Sequence, residues 1–142
     1  MNSTAVIFYR LTGDAGVGFR LAEFEGEPAI FNDRAPDSFQ FDAGFAVVIA
    51  APSSDEDAST FSETIRAITQ EVRIYAKDTG STAEIDDLAR AIRDLFHLQA
   101  DALIVGGGKV NTATATGPVA APTTDPSLIG RRVMLRLELQ ET

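Results

Sequence analysis

The chain contains no cysteine, which excludes a disulfide framework, a thiolate zinc cluster and a thiol nucleophile together. It has a single histidine, His97, so it offers neither a His-rich metal site nor a second imidazole for a proton relay. Long apolar runs are missing too. Phe45 to Ala51 is continuously apolar but falls far short of the roughly 18 residues that a membrane helix needs. The beginning of the chain shows no basic region followed by an apolar stretch, so a soluble product with no secretory signal and no membrane partner is expected. Positive charge is scarce: 12 Lys and Arg against 21 Asp and Glu leave a net charge of −9. The deficit is concentrated in residues 1–64, which hold three arginines against eleven acids. Proteins that grip nucleic acid do so by releasing phosphate counterions to a basic patch. This balance argues against such a grip, though not against a surface past which DNA slides.

What is present fits one globular domain spanning residues 1–142, with 44% apolar and 23% charged residues. Ser3 to Thr12 reads as a first helix capped by Ser3 or Thr4. Phe19 to Phe24 is ambiguous between a helical turn and irregular chain, and Ala29-Ile30-Phe31 is a short strand candidate. Phe45 to Ala51, bounded by Gly44 and Pro52, suits a strand buried on both faces. The small, polar stretch Pro52 to Ser62, with Asp55-Glu56-Asp57 at its middle, is expected to be a projecting loop.

Thr64 to Ala76 alternates, with Ile68, Val72, Ile74 and Ala76 on one face and Thr69, Glu71, Arg73 and Tyr75 on the other; only Gln70 interrupts the apolar side. Ser81 and Glu84 have capping-box spacing, and Ile85, Leu88, Ala89, Ile92, Leu95 and Phe96 then repeat at helical intervals, giving a helix over 81–97. Thr112, Thr114 and Thr116 alternate with alanines, which predicts an edge strand or arm within the weakly charged 102–128 stretch. Arg131 to Gln140 alternates again, with Val133, Leu135, Leu137 and Leu139 inward and Arg132, Met134 and Arg136 outward. The expected architecture is α+β: a single mixed or antiparallel β-sheet packed on one face by two helices, with a long loop or β-arm.

No catalytic constellation emerges. Gly106-Gly107-Gly108-Lys109 lacks the Ser or Thr that a phosphate loop places after its lysine, Val110 standing there instead; it reads as a flexible connector. Asp55-Glu56-Asp57 is contiguous, unlike the alternating ligands of a calcium loop, and reads as a solvated or partner-facing loop. His97 closes a helix, where a capping role outweighs that of a general base with no partner. No G-x-S-x-G elbow exists. Neither enzymatic activity nor a cofactor or metal is therefore expected. Tyr75 and Arg73 share the outward sheet face with Arg132 and Arg136 if their strands are neighbours, a residue mixture over-represented in interface hot spots; an ordinary solvated face is the equal alternative.

Three phrases carry a family resemblance: Ala46-Val47-Val48-Ile49; Val72-Arg73-Ile74-Tyr75-Ala76-Lys77; and Leu88-Ala89-Arg90-Ala91-Ile92-Arg93-Asp94-Leu95-Phe96. In this order, with Ala29-Ile30-Phe31-Asn32 ahead of them, the chain resembles the tail terminator (tail completion) proteins of long-tailed bacteriophages and phage-like gene transfer agents. The match is close over residues 28–97 and runs by element order elsewhere. The resemblance implies a virion protein of the tail or neck, made in the host bacterial cytoplasm. It would assemble with copies of itself into a homohexameric ring that caps the head-proximal end of the tail tube. It would meet the tail tube protein on one side and head–tail connector or neck proteins on the other, with DNA passing through the channel without specific binding. Like charge on six acidic copies would discourage trapping of the genome. The expected contact residues are Asp55, Glu56 and Asp57 for tube or neck, with Arg73, Tyr75, Lys109, Arg132 and Arg136 toward neighbours, and the 102–128 segment for ring closure. Three other readings compete: a head–tail connector or tail tube subunit; a small-molecule-binding regulatory α+β domain; and, with almost no residues to support it, a hydrolase or transferase.

Overall fold

Residues 2–141 are described by the computed structural model. In chain order they form helices α1 (Ser3–Thr12) and α2 (Ala15–Arg20), and short strands β1 (Glu23–Phe24), β2 (Glu27–Pro28), β3 (Ile30–Asn32), β4 (Ala46–Ile49) and β5 (Ser54–Asp57). The long strand β6 (Ile65–Lys77), helix α3 (Ala83–Phe96) and the long strands β7 (Gly108–Ala120) and β8 (Leu128–Glu141) follow. The fold is α+β. Its main sheet runs in the order β3-β4-β6-β8-β7, all neighbours antiparallel except β3 and β4.

Period-two alternation in β6 and β8 dictates the frame. Their register pairs Val72 with Val133, Gln70 with Leu135 and Ile68 with Leu137, so the apolar halves of both strands share a face. Onto that face α3 delivers Ile85, Leu88, Ile92 and Phe96, while α1 delivers Val6, Ile7 and Leu11; all are buried in one continuous cluster. Each such side chain contributes about 1.5–3 kcal/mol. The polar interruption, Gln70, is fully buried here. Its Oε1 accepts from the Ser3 hydroxyl at 2.7 Å, and its Nε2 donates to Thr4 Oγ1 and to the Ala50 carbonyl, each at 2.7 Å. It therefore pins the start of α1 to the sheet.

On the reverse face, Phe24, Phe31, Phe39 and Phe41 meet edge to face with centroids 5.0–5.9 Å apart, and they pack over Ala22, Ala29 and Ala46. This aromatic patch covers β3 and β4 and reaches the end of β6 through Phe41. Over β6 and β8 the reverse face is covered only in part: the turn Phe41–Ala43 reaches the end of β6, where Lys77 meets Asp42 at 3.3 Å, and residues 121–122 lie beside Gly130 and Tyr75.

Several local expectations change. Pro52 to Ser62 is not a free loop: Ser54–Asp57 pairs antiparallel with β6, end to end with β4 along the same edge. The three consecutive acids tolerate this because alternate side chains leave opposite faces, and Arg66 donates to Asp55 at 2.6 Å across the ladder. The cap of α1 is Asn2, whose side chain accepts from the Ala5 amide. The Ser81–Glu84 capping box does not form. Thr82 is already in a helical conformation, and Ser81 Oγ accepts only from the Ala83 amide at 3.4 Å. Glycines 106–108 do not form a flexible connector throughout, because β7 begins at Gly108 with Lys109 opposite Gln140.

The expected arm is a true edge strand, but its outer edge is partly sealed by its own chain. Ala113 O accepts from the Leu98 amide at 2.9 Å, the Ala115 amide donates to His97 Nδ1 at 3.1 Å, and Gly117 O accepts from Arg93 Nη1 at 3.0 Å. The ladder to β8 shifts between Thr116 and Val119, where Pro118 offers no amide hydrogen. Gly117 sits there at φ 110°, and a Cβ would fall 2.8 Å from the Arg132 carbonyl.

Candidate interaction site

The open reverse face is built by the outward halves of β6, β8 and β7. Register places Arg73 directly opposite Arg132, Glu71 opposite Met134, Thr69 opposite Arg136, and Tyr75 opposite Gly130. Two arginines facing each other across a ladder would repel. Glu71 removes that repulsion: its carboxylate accepts from Arg73 Nε at 2.9 Å and from Arg132 Nη1 at 3.0 Å, with its side chain only 11% exposed. The hydrogen bond that Arg73 donates to Glu71 holds its guanidinium above its ordinary pKa, outweighing the opposite effect of desolvation. Arg132 Nε is buried without a hydrogen-bond partner. Tyr75 lies flat over Gly130, where a Cβ would come within 2.7 Å of its ring, and its hydroxyl donates to the Pro122 carbonyl at 3.4 Å.

Three of the eight residues singled out from the sequence thus form one cluster: Arg73, Tyr75 and Arg132. Arg136 lies farther along β8 on the same face and is exposed; Lys109 shares that face at the far end of β7. Asp55, Glu56 and Asp57 are not part of the cluster. Asp55 and Asp57 face the helical side of the sheet opposite Ile68 and Arg66, while Glu56 faces the open side. Asp57 has its pKa lowered chiefly by hydrogen bonding from Ser59. Glu71, which organises the site, escaped the sequence reading although alternation already placed it beside Arg73. The open face gathers Arg73, Arg132, Arg136 and Lys109 against Glu56, Glu71 and Glu138, a small excess of positive charge in a chain of net −9.

Between this face, the aromatic patch and residues 122–128 opens a cleft of about 460 Å³, lined by Arg34, Phe41, Val48, Arg73, Tyr75 and Leu128 among others. A second cleft of about 410 Å³ lies beside Phe45, Lys77, Glu84 and Ile129. Among the described residues no three His, Cys, Asp or Glu gather in a metal-binding arrangement, and no helix is long and apolar enough to cross a membrane.

Neither a family model nor a curated protein matches the chain. In three dimensions it is similar to a chain of the virion of a native gene transfer agent particle. The TM-score is 0.75 at 16% identity, covering 96% of this chain and 92% of that one. At that identity the likeness establishes a shared fold.

Proposed function

We propose that the chain is a structural virion protein of a phage-like particle, and specifically a tail terminator. In this reading copies of the chain form a ring on the head-proximal end of the tail tube. The ring stops tube growth and joins tail to neck while leaving a channel for DNA. The observation that carries the reading is the fold shared over nearly the whole length with a chain of a gene transfer agent virion, together with the terminator-like phrases of β4, β6 and α3. The role is architectural and not enzymatic. In support, the one imidazole is committed to the Ala115 amide, and the most buried carboxylate, Glu71, is held between two arginines. Light scattering on the purified protein, alone and after addition of tail tubes, tests it. Discrete closed multimers and arrested tube elongation are expected; a monomer that leaves elongation unchanged contradicts it.

A further inference from the structure

We infer that the cleft beside Arg73 and Tyr75 is a socket for the tip of the β5–β6 hairpin of a second copy of this chain. The inference rests on the ring reading and names the surface through which the copies join. The hairpin closes through Thr60–Glu63, and its tip presents Phe61 wholly to solvent. The stem carries Asp55, Glu56, Asp57 and Glu63 against a single Arg66, which makes it strongly negative. An exposed aromatic at a turn, ringed by charge, has the form of an interface anchor.

The receiving site offers apolar walls to the ring and two arginines to the acidic stem. Its walls include Phe41, Val48 and Tyr75, and its volume of about 460 Å³ accommodates a phenyl ring with adjoining backbone. It opens beside the arginine-bearing end of the open face, with Arg73 fixed by Glu71 at 2.9 Å and Arg34 exposed at the rim. Two acids also line it, Asp33 and Asp125; Asp125 is turned back onto the amide and hydroxyl of Ser127.

Position forbids an intramolecular solution. The hairpin tip precedes Ile65 and the socket surrounds Tyr75 near the other end of β6, roughly 30 Å away at strand rise. Knob and socket at opposite ends of one rigid strand meet only between copies. The contact is head to tail, the type that closes into rings.

Because the chain lacks cysteine, cross-linking tests the pairing without background. Ser62→Cys and Thr124→Cys are both at exposed positions. Under mild oxidation a mixture of the two single variants is expected to give a covalent dimer absent from either alone, and the double variant a ladder of multimers. Phe61→Ala and Arg34→Glu, both on the surface, are each expected to weaken association about tenfold or more. Multimers that assemble while positions 62 and 124 fail to cross-link, or that survive both substitutions unchanged, overturn the socket while leaving the ring reading intact. Absence of multimers at every concentration, alone and on tail tubes, overturns both.

Discussion

Single buried polar residues set much of the geometry. Gln70 is legible in the sequence only as a flaw in an apolar face, since its partners Ser3 and Thr4 lie 66–67 positions away and no local pattern announces them. Replacing it with leucine keeps the volume but strands the Ser3 hydroxyl and the Ala50 carbonyl. Gln70→Leu should therefore cost about 1–3 kcal/mol in urea unfolding, with loosening concentrated at α1 in hydrogen exchange. Asp86 provides a pH-dependent counterpart. The hydrogen bond from Arg131 at 2.7 Å is the main cause of its lowered pKa, followed in the same direction by the guanidinium charge. A carboxylate depressed in the folded state contributes stability above its unfolded value of roughly 4 and loses it as pH falls through the lower folded value. Asp86→Asn should be less stable than the parent at pH 7 and show a flatter decline on acidification. An unchanged acid limb in thermal melts would place that proton uptake elsewhere.

The long elements were plain from the sequence because period two and period 3.6 each persist for three or more repeats in β6, β8 and α3. The short ones were not. β5 is four residues with three consecutive acids, a composition depleted in strands, and it pairs only because β6 extends past β4 and supplies Arg66. α2 hides in a glycine-rich hexamer, held by the Asp14 side chain accepting from the Val17 amide. The seal on the β7 edge was equally invisible, since it depends on where α3 stops. There Leu98 adopts a left-handed φ of 58° while its side chain is largely exposed, a position that suits glycine. Leu98→Gly should therefore be neutral to stabilising, by up to about 1 kcal/mol, with the Leu98-to-Ala113 hydrogen bond retained. A clear loss of stability would mean that the exposed leucine packs in a way the fold does not explain. Of the candidate site, alternation alone brought Arg73, Tyr75, Arg132 and Arg136 to one face. The bridging by Glu71 and the cleft required the register of two strands some 60 residues apart.

At the scale of the whole molecule, the sheet is covered on one side by α1 and α3 and on the other mainly over β3, β4 and the adjoining end of β6. That asymmetry leaves an open face carrying Arg73, Arg132, Arg136 and Lys109 and an acidic hairpin on one chain, a combination suited to assembly between copies. The terminator reading joins this to the fold shared with a gene transfer agent virion chain. Its most direct test is electron microscopy of growing tail tubes mixed with the purified protein. The account predicts closed rings seated on one end of each tube, and tubes whose lengths stop increasing once the ring is in place. Protein distributed along the tube walls, or tubes that lengthen with bare ends in its presence, would contradict it.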